Sequence, residues 1–208
     1  MAGVKGQVQR RGVARRAAIL DAATEVFALH GYRGGSLALI AERVGVTPAG
    51  VLRHFGSKET LLLAVIAEQG HRAGAVSEEL AKLPGLDAIR GIVRYAELTE
   101  AKAGIAALFT ILQAEHLEVA GMVRDFFLER NRTLRRAIAT SLRRGQRDGT
   151  IHPNLDRPRI ADELMAFMEG AALVWLLDRD LSLVELYRRY LDRLADDIEA
   201  PTDCARDC

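Results

Sequence analysis

The stretch at residues 39–62, LIAERVGVTPAGVLRHFGSKETLL, constrains this chain more than any other. Ser36 can cap a helix whose Ile40, Ala41 and Val44 share one face, and Gly45 ends it. Thr47 caps the next, with Pro48 at its first position, where the missing N–H leaves no hydrogen bond unmade. Val51 and Phe55, four apart, face the same way. Gly56 stops that helix, and Ser57 caps a longer fourth one running toward Lys82. Helices of about eight or nine residues are marginal alone, so both must pack on something larger. The spacing of Ile19, Ala23, Val26 and Phe27 supplies it, predicting an amphipathic helix over 15–30 that Gly31 ends. Three such segments joined by tight turns form a helix-turn-helix, whose last short helix can project into a DNA major groove.

Past the break at Pro84-Gly85 the periodicity predicts helices over 86–100, 104–116, 122–146, 157–177 and 183–197. Asp156 caps the fourth of these, with Pro158 in its first turn. No segment alternates with period two long enough for a strand, so the expected fold class is all-α. The expected organisation is a disordered basic arm at 1–12, the helix-turn-helix domain at 13–60, and a C-terminal helical bundle at 61–199. Helix four, 57–82, connects the two domains, and a disordered tail at 200–208 follows.

Composition narrows the class. At 49% apolar residues the chain can build a substantial core, and 5% aromatics favour helices over sheets. No run approaches the roughly 18 consecutive apolar residues of a membrane span. The first residues lack an apolar stretch and a small-residue cleavage site, so no secretory signal is expected there. A cytoplasmic protein without membrane contact is the expectation. Cys204 and Cys208 sit in a polar tail without further metal ligands and are expected to be exposed thiols.

Charge is uneven. Residues 1–60 hold nine Lys/Arg against four Asp/Glu, or +5, while the other 148 carry 20 basic and 24 acidic side chains, or −4. A negatively charged partner for the N-terminal part fits this split. Catalysis finds little support. The five histidines His30, His54, His71, His116 and His152 include no i, i+4 metal-binding pair, and GYRGG lacks the strand a phosphate loop needs. No nucleophile–base pairing stands out. No catalytic residue, metal site or cofactor is expected.

Taken together, RRAAILDAATEVFALHGY, SLALIAERVGV and TPAGVLRHFGSKETLL, spanning roughly residues 14–66, resemble the DNA-binding domain of the TetR (tetracycline repressor) family of bacterial transcriptional regulators. The resemblance implies a homodimer on a palindromic operator in double-stranded DNA, with a small-molecule effector bound in the C-terminal domain. It implies that Thr47 touches the DNA backbone or a base edge, beside its capping role of about 1 kcal/mol. Ala49 and Gly50 lack bulk, which allows close helix packing or close approach to DNA. Arg53 faces away from Val51 and Phe55, and its planar donor fork suits a guanine edge or a phosphate. His54 can donate to a phosphate. Lys58, in the first turn of helix four, opposes the helix dipole, which favours an anionic partner as its explanation. Ser36 offers its hydroxyl and nearby N–H groups to a phosphate. Where the family usually carries a tyrosine in the third helix, this chain has Leu52, which can meet a thymine methyl but not hydrogen-bond a phosphate. Arg53 and the arm at 10–16 can compensate through phosphate contacts.

For the effector, Tyr95, Phe109, Phe126, Met168 and Trp175 can line an apolar pocket, with His116 or Glu115 as its polar contact; a filled core is the alternative. Repression released by a small, largely apolar ligand is the expected function. A DNA-binding regulator without such an effector, architectural or protein-responsive, is the competitor. The homodimer is expected through the last two long helices. Leu164, Phe167, Ala171 and Val174, beside Met165, Met168, Ala172 and Trp175, make the segment over 157–177 apolar on more than one face, and Gly170 allows close approach.

Overall fold

The computed structural model describes residues 2–118 and 120–201, with side chains at all of these except 2–10, 69, 72 and 73. Among the described residues the chain is helical, with a single isolated bridge between Ile151 and Glu199. Cys204, Cys208 and most of the expected tail lie outside the described residues.

Helix α1 (Ala2–Gly34) is kinked where Gly31 leaves the helical region at φ 68°, a conformation that favours glycine. It runs through 2–12, where the sequence predicted a disordered arm. Extending a helix already anchored at Ile19–Phe27 adds one hydrogen bond per residue with no new nucleus to form. Helices α2 (Leu37–Val44), α3 (Pro48–Phe55) and α4 (Lys58–Leu80) follow with the expected caps. Ser36, Thr47 and Ser57 accept the amides of Leu39, Gly50 and Thr60 at 3.1, 3.1 and 3.0 Å. Gly45, left-handed at φ 66°, turns the chain between α2 and α3.

The single helix expected over 86–100 is two, α5 (Gly85–Arg90) and α6 (Val93–Ala101). The break falls at Gly91, where an added Cβ would stand 2.4 Å from Leu80 of α4. Then come α7 (Ala103–Glu115), α8 (Met122–Asp148), α9 (Arg157–Leu177) and α10 (Leu183–Ile198).

Two buried clusters hold these helices together. The first joins Ile19, Val26, Phe27, Ile40, Val51 and Phe55 to Leu61, Leu62, Val65 and Ile66. It also includes Leu108 and Leu112 of α7 and Val123 and Phe127 of α8. The head's core therefore reaches past residue 60 into the C-terminal half. An added Cβ on Gly104 of α7 would lie 2.8 Å from the Ala28 Cβ of α1, and Arg33 Nε pairs with Glu115 Oε1 at 3.4 Å. The second cluster gathers α5, α6, α9, α10 and the C-terminal half of α8.

Helix α9 divides its apolar surface between two sides. Leu164, Met165, Met168, Ala171 and Trp175 are buried in this chain's own second core, and Phe167 stacks on Tyr190 at 3.7 Å. The apolar stripe left exposed is Gly170, Leu173, Val174 and Leu177, with Leu177 81% exposed. The sequence predicted a helix apolar on more than one face, and the structure places most of the named residues in the core while leaving Val174 on the exposed side.

Candidate nucleic-acid interface and ligand cavity

Burial of Val51 and Phe55 fixes how α3 is rotated. Its other face then carries Ala49, Leu52 and Arg53 into solvent, with Gly50 and His54 half-buried at its flank. Thr47 and Ser36 stand exposed at the starts of α3 and α2. Leu52, at 38% exposure, is an apolar spot in an otherwise polar face.

The structure adds residues from α1. Arg15 joins Thr47, Gly50, Arg53 and His54 around one shallow depression, and Arg11 and Arg15 flank Val44 in the next. Arg16 lies over the Phe55 ring at 4.7 Å. Arg43 is paired with Glu25 at 2.6 Å, whereas no acid pairs with Arg11, Arg15 or Arg53 among the described residues. Uncompensated positive charge therefore clusters on one side of α3, across from the buried face. Such a surface attracts phosphates, and an arginine fork at its centre can read a guanine edge.

Lys58 has a structural explanation that its sequence position does not reveal. Its Nζ donates to the Arg33 carbonyl oxygen at 3.4 Å and lies 4.6 Å over the Tyr32 ring. The cation ties the end of α1 to the start of α4, which offsets its unfavourable place in the α4 dipole. Burial and the nearby Glu59 charge raise the Tyr32 phenol above its ordinary range.

In the C-terminal half a cavity of about 200 Å³ opens among α4, α6, α7, α8 and α9. Leu98, Ile105, Ala106, Phe109 and Ala172 make most of its wall apolar, and Tyr95, Gln113, Arg130 and Glu169 converge on it. A second lobe of about 320 Å³ shares Gly70, Tyr95 and Arg130 and reaches Phe126. Three of the six predicted ligand residues, Tyr95, Phe109 and Phe126, thus line this space. The other three do not. His116 ends α7 with Nδ1 2.8 Å from the Leu112 carbonyl. Met168 and Trp175 are packed in the second core, and the Arg179 guanidinium covers the Trp175 ring at 3.8 Å. Glu115, the other polar candidate, is engaged with Arg33.

Gln113, Arg130 and Glu169 escaped the sequence reading. Arg130 Nη1 meets Glu169 Oε1 at 3.0 Å, and Gln113 Nε2 donates to Glu169 Oε2 at 3.3 Å. The guanidinium also stands 5.8 Å over the Phe109 ring. A signal was present, because Arg130 interrupts the apolar stripe of α8 between Phe126 and Leu134, four residues from each. The Tyr95 hydroxyl is bonded to Ser77; burial raises its pKa, opposed by that bond and by Arg130.

Among the described residues no three His, Cys, Asp or Glu side chains are grouped to hold a metal ion. None of the described helices is long and apolar enough to cross a membrane.

Comparison with known proteins agrees with this architecture. Residues 19–65 match the family described as bacterial regulatory proteins, tetR family. Residues 85–191 match the one described as tetracyclin repressor-like, C-terminal domain. The chain is 29% identical over 145 residues to the HTH-type transcriptional regulator UidR of Escherichia coli, covering 68% of this chain and 71% of UidR. It is 28% identical over 157 residues to the HTH-type transcriptional repressor AcnR of Corynebacterium jeikeium, covering 75% and 78%. Among solved structures, a TetR-family regulator from Rhodococcus sp. superposes with a TM-score of 0.73 at 26% identity, over 89% of this chain and 98% of that one.

Proposed function

Because the chain belongs to the tetR family of bacterial regulatory proteins and is a helix-turn-helix DNA-binding transcriptional regulator, we propose that it is a repressor released from its operator by a small, largely apolar ligand. In this reading residues 13–60 read DNA and 61–199 bind ligand and partner. Ser36, Thr47, Ala49, Gly50, Leu52, Arg53, His54 and Lys58 form the DNA-facing set, with Arg11 and Arg15 added by the geometry of α1.

One observation carries the ligand-responsive part. Helix α7 belongs to the head and to the cavity at once. Its Leu108 and Leu112 are buried in the head's core and its Gly104 touches Ala28 of α1. Its Ile105, Phe109 and Gln113 line the cavity. A ligand that pushes α7 outward therefore acts directly on the packing of α1, and α4 contributes Gly70 to the same cavity. Interiors are close-packed, so such a displacement is transmitted rather than absorbed.

The consequence for DNA follows from symmetry. A dimer reads a palindrome only when its two α3 helices stand about 34–36 Å apart, in successive major grooves. The exposed stripe Gly170, Leu173, Val174 and Leu177 on α9 is the self-complementary surface for that dimer, with α10 beside it. A ligand favouring a wrongly spaced arrangement lowers operator affinity, and DNA weakens the ligand by the same factor. The name of AcnR as a repressor supports the sign chosen here.

Selection of bound fragments from genomic DNA tests the reading. A palindromic site with half-sites about one helical turn apart is expected, as is its release by a compound that raises the melting temperature of the free protein. Ligand affinities equal with and without bound operator would refute the coupling.

A further inference from the structure

In the cavity among α4, α6, α7, α8 and α9, some hydrogen-bonding groups are already in use and others are not. Both carboxylate oxygens of Glu169 are occupied, Oε1 by Arg130 and Oε2 by Gln113. Arg130 has committed only Nη1, which reaches Glu169 at 3.0 Å and Asn131 Oδ1 at 3.2 Å. Its Nε and Nη2 have no partner among the described residues. Thr99 and Thr110 line the same space, but each hydroxyl donates to the carbonyl four residues back, Tyr95 at 2.7 Å and Ala106 at 3.0 Å. They have acceptor capacity left and no proton to offer.

The charged donors with free capacity are thus the remaining face of Arg130 and the ammonium of Lys102, which also lines the cavity without an ion-pair partner among the described residues. Two cations against one already satisfied carboxylate leave this cavity positive. An ammonium ligand would meet two like charges and a carboxylate whose charge is already paired with Arg130. A neutral ligand would leave the guanidinium fork unmatched on the side away from Glu169. A carboxylate accepts two parallel N–H bonds from the geometry Arg130 offers. The apolar wall of Leu98, Ile105, Phe109 and Ala172 fixes the rest of the molecule.

Resting on the effector reading given above, we propose that the ligand is an amphipathic monoanion, a carboxylate on a short aliphatic or aromatic body. Its head binds the free Nε/Nη2 edge of Arg130, with Lys102 near. Glu169 holds the guanidinium in place and at the same time competes for it, so its charge sets how strongly an anion is held.

Isothermal titration of the full-length protein with octanoate, octanol and octylamine tests this. Octanoate is expected to bind at least tenfold more tightly than octanol, and octylamine more weakly than either. Arg130→Gln should bring octanoate and octanol to within threefold of each other while leaving octanol unchanged, and Arg130→Lys should restore part of the preference. Glu169→Gln should tighten octanoate several-fold and leave octanol as it was. Octanol or octylamine equal to octanoate in the parent protein overturns the anion assignment and leaves the cavity as an effector site. No binding by any of the three overturns both. Octanoate bound with the expected preference but without effect on operator affinity supports the anion site and removes the effector reading.

Discussion

Gly104 of α7 and Ala28 of α1 meet so closely that a methyl group at position 104 would stand 2.8 Å from the Ala28 Cβ. This contact joins the helix that borders the cavity to the helix that carries the DNA-reading head. Gly104→Ala should destabilise the protein by about 1–3 kcal/mol through overpacking, measured by urea unfolding. Ala28→Gly removes the obstructing methyl, so the double variant should recover part of that loss. Strict additivity of the two changes would show that the contact is not the cause.

Lys58 serves the fold as well as the charge of the head. Lys58→Ala should lower affinity for all DNA sequences and flatten the salt dependence by about one unit. It should also cost about 0.5–1 kcal/mol of stability, because the cation over Tyr32 is lost. Lys58→Arg should retain most of both. Unchanged thermal unfolding of Lys58→Ala would remove the structural role.

Burial of Tyr187 makes it a contributor to the loss of stability expected at alkaline pH. Burial raises its phenol from the ordinary value of 10.0, with the Glu169 charge adding to the rise and Arg130 opposing it. Its hydroxyl donates to the Met168 carbonyl at 3.3 Å. A raised folded pKa means that the native state keeps a proton the unfolded chain gives up. The stability this contributes is complete below about pH 10 and falls as pH rises beyond it. Tyr187→Phe should cost about 0.5–1.5 kcal/mol at neutral pH, for the lost hydrogen bond. It should also flatten the decline above pH 10, measured by denaturant unfolding across pH 8–11.5. An equally steep decline in the variant would assign the alkaline loss to the other tyrosines.

The stripe on α9 predicts an oligomeric phenotype. Val174→Arg or Leu173→Glu alters a side chain that is about half exposed in the single chain, at 49% and 46%. Folding should be nearly unaffected, while the two-fold pairing places two like charges together. Light scattering should show a monomer mass for these variants and a dimer mass for the parent, with loss of palindrome binding. A dimer in the charge variants would move the interface elsewhere.

Much of the head was legible because its determinants are local. Ser36, Thr47 and Ser57 cap α2, α3 and α4 by accepting the amide three residues ahead, and Gly45 and Gly56 end α2 and α3, so sequence neighbours decide those boundaries. Face assignment also followed from spacing alone at Ile19, Val26, Val51 and Phe55. What sequence could not reveal depends on distant partners. At Gly91, where the expected helix is divided, Leu80 of α4 packs so closely that an added Cβ would stand 2.4 Å from it. Leu108 and Leu112 look like residues of the C-terminal core and belong to the head's. For the cavity, aromatic and methionine content pointed to Trp175 and Met168, which tertiary packing buries elsewhere. Arg130 and Glu169 are 39 residues apart in sequence, and their pairing exists only once α8 and α9 are set side by side.

Recognition of DNA by α3 turns on Arg53 more than on any other side chain. Its guanidinium is exposed, unpaired among the described residues, and ringed by Arg15, Thr47 and His54. The measurement is the affinity of the parent, Arg53→Ala and Arg15→Ala for a selected operator and for unrelated duplex, at several salt concentrations. Arg53→Ala should lose about 1–3 kcal/mol on the operator and much less on unrelated DNA, relaxing discrimination. Arg15→Ala should weaken both duplexes alike and reduce the salt slope by about one unit. Parent-like binding and parent-like discrimination by Arg53→Ala would contradict the account and place the reading surface away from α3.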